Sequence, residues 1–246
     1  MGQPAVLVTG GARRVGAAIV RALHAAGANV VIHCHRSRAD AVRLAAALEA
    51  ARAQSAAIVE GDLLDPSRLA PLVEEAAARF GGLDGLVNNA SSFHPTPLES
   101  LTPADWENLS GTNLRAPLFL AQAAAVHLRR SRGAIVNIVD IHAERPLPGF
   151  LAYCVAKSGL AGLTRALALE LAPDVRVNGI SPGAILWPDD GEAFAPAERE
   201  RITRQTPLCR SGSPEDVAGA VKYLLFDAPF VTGQVLAVDG GRSIAL

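Results

Sequence analysis

Residues 5–16 read Ala-Val-Leu-Val-Thr-Gly-Gly-Ala-Arg-Arg-Val-Gly, and this stretch decides the fold. Ala5 to Thr9 is a short continuous apolar run, the pattern of a parallel strand buried on both faces. Gly10, Gly11 and Gly16 follow, and apolar residues recur at helical spacing from Val15 to Ala26, stopped by Gly27. Strand, glycine turn and helix together make an anion cradle. Glycine lets the backbone approach a phosphate, and the helix N-terminus adds N–H donors and partial positive charge.

Outward from this unit the same alternation continues. Strands are expected at Asn29–His33, Ala56–Glu60, Gly85–Asn88, Ala134–Val139, Val175–Ile180 and Gln234–Val238. Helices are expected over Arg38–Ala53, from Asp65-Pro66 to about Phe80, from Trp106 to about Ser131 with a bend at Pro117, over Ala152–Leu171, around Ala197–Gln205, and over Pro214–Phe226. No linker, repeat or low-complexity segment interrupts the pattern. Alternation of this kind predicts right-handed βαβ units in one α/β, doubly wound domain over residues 1–246. About seven parallel strands carry helices on both faces, with a substrate loop over about 183–213.

Composition narrows the function classes. The chain has 246 residues, half of them apolar, enough for a sizeable core. The net charge of −1, with both signs spread along the chain, argues against nucleic acid or a polybasic membrane surface as partner. Cys34, Cys154 and Cys209 are odd in number and far apart, so neither a disulfide framework nor a metal site is expected. No signal-peptide pattern precedes the first strand and no apolar stretch reaches membrane-spanning length, so the expected location is cytoplasmic.

In doubly wound sheets ligands bind beyond the carboxyl ends of the strands. The residues there are Gly10 to Gly16, His35 to Ser37, Asp62, Asn88 to Ser92, Asp140 and Ser181 to Gly183. The second strand ends in His-Cys-His-Arg-Ser without the acid that would hold a ribose 2′-hydroxyl. Arg36 and Ser37, helped by Arg13 and next to His35, suit a 2′-phosphate, so the expected cofactor is NADPH. Asp62 and Leu63 would hold the adenine edge, and Asn89 and Ala90 the nicotinamide ribose. Tyr153 and Lys157 share one helix face, one turn apart, where the ammonium should lower the tyrosine pKa. Asp140, at a strand end, can meet Tyr153 across the mouth of the sheet.

The Thr9-Gly10 turn ending in Gly16, Asn88-Asn-Ala90, Asn113, Tyr153-x-x-x-Lys157 and Pro182-Gly183, in that order, resemble the short-chain dehydrogenase/reductase superfamily over the full chain. That superfamily usually has serine where this chain has Asp140. Asp140, together with Arg14 in the glycine loop, His35-Arg-Ser37 and the run Asn89-Ala-Ser-Ser-Phe-His-Pro-Thr-Pro-Leu98, resembles the pteridine reductases. The resemblance implies a Rossmann-type fold, a homotetramer, and NADPH-dependent reduction of a pterin or folate.

It also implies roles. Asp140, Tyr153, Lys157 and Asn113 would be catalytic. Gly10, Arg13, Arg14, Val15, Gly16, Ser91, Pro182 and Gly183 would join the strand-end residues around the cofactor, with Tyr153 and Lys157 touching it. Arg14, Ser91, Phe93, Asp140 and Tyr153 would touch substrate, a flat ring stacking on Phe93. Asp140 favours imine over ketone reduction, because a carboxylate would repel a developing oxyanion. The alternatives are a carbonyl reductase acting on 3-oxoacyl thioesters and a non-catalytic NADPH-binding regulator.

Overall fold

A computed structural model describes residues 2–187 and 194–245. Its strands are β1 Ala5–Val8, β2 Asn29–Cys34, β3 Ala56–Glu60, β4 Gly85–Asn88, β5 Ala134–Ile138, β6 Arg176–Pro182 and β7 Val235–Val238. All pair in parallel, in the order β3-β2-β1-β4-β5-β6-β7. The chain moves one way from β1 and the other way from β4. The crossover helices therefore cover both faces, and a topological switch point lies between β1 and β4. This is a single α/β domain of the Rossmann type.

The helices are α1 Arg14–Ala25, α2 Arg38–Ala51, α3 Pro66–Phe80, α4 Pro103–Ser110, α5 Ala116–Ser131, α6 Leu151–Glu170, α7 Pro196–Gln205, α8 Pro214–Lys222 and the short α9 Arg242–Ala245. Alternate residues of each strand serve opposite cores. Val6, Val8, Val30 and Ile32 pack with Ile19, Leu23, Leu44 and Val217 from α1, α2 and α8. Leu7, Val31, Leu86 and Ile135 pack with Leu69, Leu72 and Leu120 from α3 and α5. That division is why β1 reads as an unbroken apolar run. Each such side chain contributes roughly 1.5–3 kcal/mol by leaving water.

Several boundaries differ from the sequence expectation for local reasons. The helix expected from Trp106 starts at Pro103. There Thr102 accepts from the Asp105 amide at 3.2 Å, and Asp105 Oδ2 accepts from Thr102 N at 3.1 Å, a reciprocal cap. The regular helix is interrupted not at Pro117, where the sequence predicts a bend, but earlier, by a π turn over Gly111–Arg115. Pro117 sits at the start of α5, where a missing N–H is harmless. The Asn113 amide instead bonds Leu109 O and Ser92 O, both at 2.9 Å, which accommodates the extra residue in the turn. The second helix stops at Ala51, before Arg52, whose guanidinium crosses to Gly27 O and Ala28 O. Helix α8 ends at Lys222 and passes into a second π turn, Tyr223–Asp227; α9 was not anticipated. No helix among the described residues is long and apolar enough to cross a membrane.

Candidate active site

The glycine turn is built by close approach. Gly10 has φ +60, and a Cβ on Gly16 would lie 2.1 Å from Gly10 O. Thr9 Oγ1 accepts from Asn89 N at 2.9 Å and Ala90 N at 3.0 Å, and the Asn89 amide donates to Thr9 O and Gly10 O at 2.9 and 3.1 Å. The first and fourth strand ends are thereby stitched into one floor at the switch point. Arg14, at φ +51, adopts the left-handed conformation that glycine favours and donates to Trp187 O at 2.8 Å. His33 braces the turn from below. Its Nδ1 accepts from Gly10 N and its Nε2 lies against Gly61 O, both at 3.1 Å. Burial lowers its pKa from 6.5 to about 4, which keeps the ring neutral and able to accept and donate at once.

At the end of β2, His35, Arg36 and Ser37 line the same cavity as Arg13 and Asp62. Ser37 heads α2 without a side-chain cap bond, and Arg36 makes no hydrogen bond or ion pair among the described residues. Asp40, in the first turn of α2, lies 3.8 Å from Arg13 and pairs with Arg43. This acid lies just past the 33–37 strand end and offsets the basic helix start. Asp62 Oδ1 accepts from Leu64 N at 2.9 Å and lies 3.8 Å from His35; Leu63 is buried beside it and also lines the cavity. Val15, Pro182 and Gly183 complete the wall. A Cβ on Gly183 would meet Asp239 at 2.8 Å, so only glycine fits there.

Asp140, just past β5, and Tyr153, in the first turn of α6, meet as expected. The phenol donates to Asp140 Oδ2 at 2.7 Å, while Asp140 Oδ1 accepts from His142 N at 2.8 Å. Lys157, one turn on, is buried and donates from Nζ to Ile138 O at 2.8 Å. One expectation fails: the lysine does not acidify the tyrosine. Burial and then the Asp140 carboxylate push the Tyr153 pKa well above its ordinary value, opposed by the Ser91 hydroxyl. The ammonium is aimed at Ile138 O and stands 5.7 Å from the ring centroid, and burial lowers its own pKa from 10.5 to about 8. Asn113 reaches the group through Ser91, whose hydroxyl donates to Asn113 Oδ1 at 2.6 Å.

Every site residue expected from the sequence except Asn113 lines one cavity of about 1100 Å³. Phe93 lines it too, stacked on Phe150 at 4.5 Å and edge-on to Tyr153 at 4.8 Å. Sequence reading missed Phe150 and Phe194, the latter 5.6 Å from Trp187 and 6.5 Å from Phe93. No local pattern marks them, because they arrive from the residue just before α6 and from the loop before α7. His142 lines the cavity, whereas His94 bonds Asp105 at 3.2 Å. The part of the expected substrate loop at 188–193 lies outside the described residues. No group of His, Cys, Asp or Glu among the described residues could hold a metal.

Comparison with known proteins decides the family. A family model described as Enoyl-(Acyl carrier protein) reductase matches residues 10–243. The chain belongs to the short-chain dehydrogenase/reductase family. Members of this family are oxidoreductases that use NAD(P)H. Pteridine reductase 1 of Leishmania tarentolae is 41% identical over 98% of this chain and 96% of its own length. The 3beta-hydroxysteroid dehydrogenase 1 of Eggerthella lenta is 36% identical, over 97% and 93%. The 3-oxoacyl-(acyl-carrier-protein) reductase FabG of Staphylococcus aureus is 33% identical, over 96% of each. Shared family membership therefore spans several substrate classes, and the side chains of the site must choose among them.

Proposed function

We propose that this short-chain dehydrogenase/reductase reduces pterins with NADPH, converting dihydropterin to tetrahydropterin and acting on biopterin and folates as well, by reduction of a ring C=N. The observation that carries the reading is the 2.7 Å hydrogen bond from Tyr153 Oη to Asp140 Oδ2. A ketone reductase needs a neutral donor beside its tyrosine, since a carboxylate would oppose an oxyanion. A ring nitrogen needs a proton, and the pair holds one between phenol and carboxyl.

The residues fit the cofactor. The Gly10–Gly16 turn, too tightly folded on itself for a Cβ at Gly16, lines the cavity with bare backbone, and Arg36 with Ser37 offers donors to a 2′-phosphate, helped by Arg13 and His35. Arg14, Val15 and Ser91 would hold the phosphates, Asp62 and Leu63 the adenine, and Asn89, Ala90, Pro182 and Gly183 the nicotinamide end. NADPH would supply the hydride. Lys157, which donates to Ile138 O, would also hold the nicotinamide ribose. Phe93, backed by Phe150, presents a flat apolar wall to the pterin, and Arg14 and Ser91 hold its polar edge. Tyr153, protonated because burial raises its pKa, delivers the proton, with Asp140 behind it. Asn113 fixes Ser91 and the start of that relay. Exposed Leu118 and Val126 on α5, and Leu151 and Val155 on α6, support a homotetramer packed through helix faces.

The relatives that act on steroids or 3-oxoacyl groups favour a second reading, carbonyl reduction. NADPH oxidation with dihydrobiopterin, dihydromonapterin and dihydrofolate, set against acetoacetyl thioester, separates the two. Turnover of the thioester alone would defeat the pterin reading, and NADPH binding without any turnover would leave a regulator.

A further inference from the structure

Besides the aromatic side chains, the cavity has a charged lobe lined by Glu198 and Arg201 of α7 and by Arg242, the first residue of α9. Arg242 is unlike the other two. It is only 6% exposed, yet it lines the cavity. Among the described residues its guanidinium makes a single hydrogen bond, from Nη1 to Ile202 O at 3.3 Å. Both nearby acids are engaged elsewhere. Glu198 takes Arg201 through both oxygens, at 2.5 and 2.9 Å. Asp239 accepts from Gly241 N at 2.8 Å and Ser243 N at 2.7 Å. Among the described residues no carboxylate lies within ion-pair distance of Arg242.

A buried guanidinium with no carboxylate in contact is costly, because its desolvation is offset only in part. Burial and then the neighbouring Arg201 charge lower its pKa from the ordinary arginine value, opposed at longer range by Glu198 and Asp239. A Cβ on Gly240 would strike Thr206 at 2.9 Å, and one on Gly241, at φ +86, would meet Pro207 at 3.0 Å, so the turn that leads into Arg242 favours glycine at both positions. The lobe begins four residues after Phe194, whose ring lies 6.5 Å from Phe93. Phe93, Phe194 and Arg242 line one cavity, so a ring stacked at Phe93 and a substituent at Arg242 could share it.

Resting on the pterin reading above, we infer that Arg242 binds an anionic group, a carboxylate or a phosphate, on the substituent of the reduced ring. The enzyme therefore favours acidic pterin derivatives over neutral ones. The fork of a guanidinium suits either anion.

The test compares kcat/KM of the NADPH-loaded enzyme on dihydrobiopterin, whose side chain is uncharged, on dihydrofolate, and on dihydroneopterin phosphate. In Arg242→Gln the ratio of anionic to neutral substrate should fall about tenfold or more, through KM, the scale of a lost charge-assisted hydrogen bond. Arg242→Lys should keep part of it. A fall for dihydrofolate alone assigns a carboxylate, and a fall for the phosphate alone assigns a phosphate. An unchanged ratio for both, with all three substrates still reduced, overturns this inference and leaves the pterin reading standing. No turnover of any of the three by the wild type overturns both. Should Arg242→Gln fail to fold, the wild type is read on dihydrofolate against its diamide. A preference of about tenfold for the acid is expected, and equal kcat/KM overturns the inference.

Discussion

The Tyr153 hydroxyl donates to Asp140 Oδ2 at 2.7 Å, so the tyrosine of the Tyr-x-x-x-Lys pair is bonded to an acid and not to its lysine. Replacing that acid tests its part in the chemistry. Asp140→Ser should lower pterin kcat by about 100-fold or more, the scale of a lost proton-transfer partner. NADPH affinity, measured by fluorescence titration, should change far less. Pterin rates equal to wild type would remove Asp140 from the reaction.

Arg36 and Ser37 should set the nucleotide preference. Arg36→Gln should raise KM for NADPH about tenfold or more with little effect on NADH, because only NADPH carries the 2′-phosphate. Equal losses for the two nucleotides would show that Arg36 holds something common to both.

Lys157 makes the alkaline side of stability informative. Its folded pKa, about 8, lies below the unfolded value of 10.5. The folded state therefore binds fewer protons than the unfolded chain between these values, and stability rises as pH climbs from about 8 to 10.5. Below that window the full burial penalty is present. Lys157→Met removes the penalty, so its advantage in Tm over wild type, without cofactor, should shrink as pH rises through the window. A constant difference in Tm would contradict the burial argument. The variant should be inactive.

His33 acts on the acid side. Its folded pKa, about 4, is depressed from 6.5, so the stability linked to it is complete above 6.5 and is lost as pH falls toward 4. His33→Gln should flatten that part of the Tm profile. It should also weaken NADPH binding, because the ring holds Gly10 N. An unaltered acid profile in thermal melts would count against a neutral, bridging His33.

Gly16→Ala should abolish cofactor binding or folding, since the added Cβ would lie 2.1 Å from Gly10 O. A variant that folds and binds NADPH normally would mean that the turn relaxes.

Much of this molecule is legible along the chain because its signals are local. The strand runs, the Gly10–Gly16 turn, Pro66 at a helix start and the one-turn spacing of Tyr153 and Lys157 each depend on neighbours within a few residues. The helix start at Pro103 is a local signal too, since Thr102-Pro-Ala-Asp105 spells a capping box. The misplaced bend is different. Proline marked position 117, but the π turn at Gly111–Arg115 depends on Asn113 reaching Ser92 O, 21 residues back.

The sequence by itself determined the doubly wound sheet, its strand ends, and the residue types that gather there, because hydrophobic period and turn chemistry act over short spans. Only the tertiary structure decided how those residues are wired. His33 under Gly10, Phe150 behind Phe93 and Arg242 beyond Phe194 come from separate strands, loops and helix starts, and no periodicity joins them. Charge behaviour was decided there too. The sequence places Lys157 beside Tyr153, but burial raises the tyrosine pKa, lowers that of the lysine, and leaves Asp140 holding the phenol. Desolvation depends on what surrounds a group in three dimensions, and spacing along one helix does not carry it.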